Sequence, residues 1–214
     1  RSIPGSFSPT PWYEKIFFMI PGDFSPLVAL FSQMDAAYNR IAAQYGFQCN
    51  GCKDNCCRSV FFHHTFVEKA FLLYGFSQMD MKRQKKMRQK AVAYISRTFP
   101  GSPAQTIPAR KSLKLLCPLN LDGRCTLYAF RPMICRLHGL PHQLTRPTDK
   151  TVVQGPGCIA GKFHDKPYIP FDRTPFYVEM AGIEQSFRKK TGCTGKIRET
   201  IAHMLSDTFF LYPE

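Results

Sequence analysis

Four cysteines stand within nine residues, Cys49-Asn-Gly-Cys52-Lys-Asp-Asn-Cys56-Cys57, and this bunching limits what the chain can fold into more than any other feature. Nine cysteines in 214 residues is an odd count, far below the roughly 8–10% of small disulfide scaffolds. A chain of this length buries enough apolar surface to fold without covalent staples. Thiolates gathered by a metal in a reducing compartment are therefore the default, and the expected localisation is cytoplasmic. A Cys-x-x-Cys turn lets two sulfurs converge on one ion, and Gly51 suits the tight reversal. Neighbours such as Cys56 and Cys57 project in different directions on a helix or a strand. That assigns them to two adjacent sites or to two corners of one polynuclear centre.

A second group of cysteines follows sixty residues later. Asp122-Gly123 is a strong two-residue hairpin signal, which brings Cys117 and Cys125 together, and the turn at Pro132 folds Cys135 back toward them. Cys158 follows Gly155-Pro156-Gly157, where glycine allows close backbone approach. The candidate ligands are thus Cys49, Cys52, Cys56, Cys57, Cys117, Cys125, Cys135 and Cys158, enough for two complete tetrathiolate sites. Cys193, in Gly-Cys-Thr-Gly, reads as a free thiol.

The rest of the chain is mostly helical in pattern. Residues 1–25 are rich in Pro, Gly and Ser with interleaved aromatics, an extended arm. Ser25 caps a helix that opens on Pro26 and runs to Gly46, with Leu27, Leu30, Phe31, Met34, Tyr38, Ile41 and Tyr45 at helical spacing. Ser59–Phe62 is a short extended piece. Thr65-x-x-Glu68 is a capping-box pattern opening a second helix that Gly75 ends. A third helix spans about Asp80–Thr98, apolar on one face and carrying Lys82, Arg83, Lys85, Lys86, Arg88 and Lys90 on the other. Strands at Leu113–Leu116 and Cys125–Leu127 flank the Asp122-Gly123 turn, and a short turn or helix follows over Tyr128–Cys135. Residues 139–172 read as irregular. Thr174-Pro175 opens a fourth helix ended by Gly192, and Lys196–Phe209 forms a fifth. The expected fold is mainly α with a long irregular cysteine-rich middle and a short β-hairpin. It is organised as an arm over 1–25 and one helical domain over 26–214, with the cysteine core at about 47–160. A middle with so little regular structure needs something besides apolar packing to hold it, and metal-binding energy becomes folding energy.

Composition narrows the function classes. With 44% hydrophobic residues the chain is not disordered, and no apolar run approaches the roughly 20 residues of a membrane-spanning helix. It lacks an Asn-x-Ser/Thr acceptor, which disfavours secretion, and it opens on Arg1 rather than Met, which is compatible with a processed start. Lys and Arg outnumber Asp and Glu by 29 to 15, a formal charge of +14, which suits an acidic protein or redox partner. Nucleic-acid binding is disfavoured, since no recognised motif accompanies the basic helix face.

The block Cys125-Thr-Leu-Tyr128-Ala-Phe-Arg131-Pro132-Met-Ile-Cys135-Arg136 resembles the bacterial cysteine-cluster family described as zinc- or iron-chelating proteins of the YkgJ type. The mark of that family is Cys-x-x-Cys-x-x-Cys-Cys, Cys-Pro, Cys-x-x-Tyr-x-x-Arg-Pro-x-x-Cys-Arg and a last cysteine. Cys117-Pro118 and Cys158 match the flanking positions, while three residues separate Cys52 from Cys56 where the family's usual form has two. The resemblance spans roughly residues 47–160 and implies a metal site built from the eight cysteines. Some relatives are described as flagellin lysine N-methylases, which implies an alternative, an enzyme using S-adenosylmethionine.

Scattered ligands with a single Cys-x-x-Cys unit favour an iron–sulfur cluster, one or two and preferably 4Fe-4S, over zinc knuckles. Lys53, Arg58, Arg124, Arg131 and Arg136 lie beside the cysteines in sequence and offset the negative charge of the thiolates. Arg131 is either a partner of sulfur or half of a packing salt bridge. His138, three residues after Cys135, is a candidate second partner of the centre. His63 and His64, ahead of a helix, are expected to be satisfied locally. The expected role is electron transfer, metal handling or support of a cluster-assisted reaction. The further alternative is a zinc-stapled binding module for an acidic partner.

Overall fold

The computed structural model describes residues 24–49, 56–100 and 115–206. Among them are six α-helices and two small antiparallel hairpins, a mainly helical architecture with short β elements. The arm expected over 1–25 lies outside the described residues except for Phe24, which is buried, and Ser25, which begins the first helix instead of capping it.

Helix α1, Ser25–Gln44, carries Pro26 in its first turn, where a missing N–H costs nothing, and buries Leu27, Leu30, Phe31, Met34 and Ile41 along one stripe. Gly46, at φ 58°, turns the chain away after it. Helix α2, Phe66–Ser77, is buried on nearly every side, which makes it the central element. The capping box expected at its start does not form. The Thr65 hydroxyl instead donates to Glu68 Oε2 at 2.5 Å, and Glu184, 118 residues on, accepts from Phe66 N at 3.1 Å and Val67 N at 3.0 Å. Gly75 does not end this helix either. It is a notch, because a Cβ there would lie 2.2 Å from Cγ of Phe130.

Helix α3, Met81–Thr98, is capped by Asp80, whose side chain accepts from Arg83 N at 2.8 Å. It buries Gln84, Met87, Ala91, Tyr94 and Thr98 against the core and leaves Lys82, Arg83, Lys85 and Lys86 exposed. Strands β1, Asn120–Leu121, and β2, Arg124–Cys125, close around Asp122 at φ 51° and Gly123 at φ 82°. Two consecutive left-handed residues suit a two-residue hairpin turn. The hairpin is tighter than expected, with its first strand next to the turn; of the strand expected over 113–116, residues 113–114 lie outside the described residues and 115–116 carry no strand.

A five-residue helix, α4, Met133–Leu137, follows Pro132. Residues 139–172, expected to be irregular, contain a second hairpin of β3, His142–Thr145, and β4, Val152–Gly155. Its strand signal is weak because Val152, Val153 and Gln154 are all exposed, so no alternation marks the sequence. Helix α5, Thr174–Thr191, ends at Gly192 with φ 77° as expected. Helix α6, Ile201–Ser206, starts later than expected because Glu199 is paired as a strand with His63, and a residue so paired cannot be helical. Residues 207–209 of the expected helix lie outside the described residues. One cluster of buried residues draws on all six helices, from Phe24 to Leu205. Among the described residues no helix is long and apolar enough to cross a membrane.

Two glycines separate packing from propensity. Gly75→Ala is expected to lower the unfolding free energy by about 1–3 kcal/mol through overpacking on Phe130. Gly182→Ala, inside α5 with nothing within 4 Å of the new methyl, is expected to raise it by about 0.5–1 kcal/mol. Urea titration of both variants checks this, and shifts of the same sign would refute the notch.

Candidate metal centre

A five-residue helix does not stand alone in water, so α4 and its Cys135 depend on outside contacts. Glu68 Oε1, from α2, accepts from Met133 N at 2.6 Å at the amino end. At the carboxyl end Arg173 donates to the Leu137 carbonyl, and to the Leu140 carbonyl at 3.3 Å. A carboxylate at the positive pole and a guanidinium at the negative pole both match the helix dipole. Burial raises the Glu68 carboxyl and lowers Arg173 to about 10, so each group resists its charged form and is kept for the contacts it makes.

The motif arginines are anchored to α1. Arg136 Nη1 donates to Asp35 Oδ2 at 2.6 Å, and Arg131 Nη2 donates to Asp35 Oδ1 at 3.1 Å. Arg136 lies over the Phe31 ring, 4.1 Å from its centroid, and Arg131 over Tyr128 at 3.7 Å. Arg131 therefore makes the packing ion pair that the sequence leaves open, while its side chain also lines the cavity described next. Asp35 was missed in the sequence, although it is the sole acid in α1 of a strongly basic chain.

Six of the candidate ligands, Cys49, Cys56, Cys57, Cys117, Cys125 and Cys135, line one cavity of about 570 Å³. Its other walls include Tyr38, Phe61, Tyr94, Tyr128, Arg124 and His138. His138 stacks edge-on against Phe61 with centroids 5.3 Å apart, on the wall of the same cavity. Cys158 is buried just outside this cavity, beside Gly139, where it flanks Tyr38 together with Cys49. Burial and the nearness of those two sulfurs raise the Tyr38 phenol. Cys49 also lines a second groove with Gly46, Ala160 and Lys162. Cys52 and Lys53 lie outside the described residues. Cys193 is away from both groups, buried with its sulfur accepting from Thr191 Oγ1 at 3.2 Å.

Electrostatics binds five of these thiols into one set. Burial raises Cys135 well above the ordinary thiol, with added repulsion from Cys117, Cys125 and Cys57. Burial likewise raises Cys117 and Cys125, both of which also oppose Cys57. Cys56 and Cys57, expected to diverge, lie in a 3₁₀ turn over Cys56–Arg58 and hydrogen-bond to each other through their side chains. Cys56 is raised as the donor, and Cys57, accepting that bond, falls to about 6. The Asn120 amide approaches Cys57 and favours its thiolate, though it is too loosely set for a regular hydrogen bond: its buried Nδ2 has no partner. Lys90 Nζ donates to the Asn120 carbonyl at 3.1 Å and brings a cation near Cys117.

Among the described residues no three His, Cys, Asp or Glu side chains converge tightly enough to hold one ion. The donor chemistry nevertheless fits a cation. Cys56, Cys117, Cys125 and Cys135 are each held from ionising in part by neighbouring thiols, and a positive centre among them opposes that repulsion. The orphaned Asn120 N–H is the kind of donor that a metal-bound thiolate accepts. No family model, curated protein or solved structure matches the chain.

The clamp on α4 is testable by itself. Glu68→Ala leaves the Met133 N–H and the Thr65 hydroxyl without their acceptor and is expected to cost about 1–3 kcal/mol. Glu68→Gln keeps an acceptor oxygen and should cost less. Thermal melts of the two variants give the ordering, and equal losses would show that Glu68 acts by charge alone.

Proposed function

We propose that this chain is a metal-binding protein of the YkgJ type. In this reading the thiolates of Cys49, Cys52, Cys56, Cys57, Cys117, Cys125, Cys135 and Cys158 hold iron as one or two iron–sulfur clusters. The observation that carries it is the set of five electrostatically linked thiols, which with Cys49 line a single cavity. When bound, such a cluster supplies one-electron chemistry, and the function follows as electron transfer, metal handling or support of a cluster-assisted reaction. The reading also implies a reducing, cytoplasmic compartment and an acidic or redox partner.

The chain's own residues have defined parts in this reading. The Glu68–Arg173 clamp holds Cys135 in register with Cys117 and Cys125 across the cavity. Lys90 and Asn120 lower the cost of negative charge at Cys117 and Cys57. Arg124 is an exposed cation on the cavity wall, and Arg131, which shares the single Asp35 carboxylate with Arg136, favours negative charge at Cys125. Tyr38, Phe61, Tyr94 and Tyr128 form much of the wall and limit water at the sulfurs.

Anaerobic purification followed by metal and acid-labile sulfide analysis tests the reading. Iron and sulfide in matching amounts are expected, with most of both lost in Cys135→Ala and retained in Cys193→Ala. Zinc in whole-number ratio without sulfide would replace iron–sulfur with the zinc-stapled reading. Protein that binds neither metal under reducing conditions would overturn the proposal.

A further inference from the structure

The segment ahead of α2 is extended, so alternate side chains share a face. Ser59, Phe61 and His63 line the thiol cavity. Val60 is exposed, and Phe62 turns the other way, against Phe99 at 6.3 Å and beneath Arg198. The backbone of His63 is held by two hydrogen bonds to Glu199, 2.7 Å from its N–H and 3.1 Å to its carbonyl, so the position of the residue is fixed. The residue is only 4% exposed, and its side chain borders the cavity. Burial pushes His63 down to about 3, so the ring is neutral at ordinary pH with its lone pair available. His64, next in sequence, is exposed instead. The sequence reading treats the two histidines alike, and the structure separates them by burial.

A neutral imidazole in the wall of a cavity lined by six cysteines has the protonation state and the donor softness that iron and zinc accept. We propose that His63 is a nitrogen ligand of the metal centre, facing the thiol cavity alongside Cys57, Cys117, Cys125 and Cys135. The inference rests on the metal-binding reading above. Its chemical consequence is a mixed sulfur and nitrogen set with one fewer negative charge than a thiolate in the same position would bring. In a cluster such a substitution raises the reduction potential. The eight-cysteine count then overstates the sulfur ligands, and one cysteine is left for another role.

X-ray absorption at the edge of whichever metal the full chain carries tests this, because the imidazole ring adds outer-shell scattering that thiolates lack. Wild-type protein is expected to show imidazole scattering. His63→Gln should lose it, while His64→Gln and His138→Gln should keep it. A sulfur-only shell in wild-type protein would overturn the inference and leave the metal reading standing. Scattering that disappears in His138→Gln would equally overturn it. Protein without metal would overturn the reading beneath it. The wild-type and His138→Gln spectra decide the matter even where His63→Gln does not fold.

Discussion

The clamp on the five-residue helix α4 is the constraint on which the rest of the site depends. Glu68 meets its amino end and Arg173 its carboxyl end, and the two come from helix α2 and the residue before helix α5. Both charges are buried, which is costly unless each finds strong partners. Here the partners are the free backbone groups of a helix too short to be stable without them. Cys135 is therefore positioned by tertiary contacts, and so are the aromatic stacks of Arg131 and Arg136 on either side of it.

The same buried surroundings set the chemistry of the cavity. A thiol taken out of water resists ionisation, and a second thiolate nearby makes it worse. Cys117, Cys125 and Cys135 all follow this rule, and Cys57 departs from it because Cys56 donates to its sulfur. Such an arrangement stores a demand for positive charge. The Arg131 and Arg136 guanidinium groups meet part of it, because the single Asp35 carboxylate balances only one of their two charges and Arg131 favours the Cys125 thiolate. Lys90 through Asn120, and the exposed Arg124, add to that positive charge.

Legibility differed by element for physical reasons. Helices α1, α3 and α5 were readable because apolar spacing, a first-turn proline, the Asp80 cap and Gly192 all act locally. The Asp122-Gly123 turn was readable because few residue pairs tolerate two left-handed conformations in a row. Gly75 was misread as a helix end because its small size serves the Phe130 ring, which arrives from elsewhere in the chain. Thr65 and Glu68 were misread as a local capping pair because the true acceptor at that helix start, Glu184, is 118 residues away. The β3–β4 hairpin escaped notice because its exposed strands carry no hydrophobic alternation.

For the site, the sequence alone determined the set of candidate donors, since residue type decides which atoms bind metals and motif spacing singles out which cysteines belong together. It also determined the helical class, through periodicity. Only the tertiary structure decided that Cys158 sits with Cys49 at Tyr38, and that Cys56 and Cys57 share a hydrogen bond. It alone turned His63 inward onto the cavity and His64 outward. The reason is that each of these outcomes depends on what a side chain meets across the fold, and such meetings are set by packing between distant segments, which no local pattern encodes.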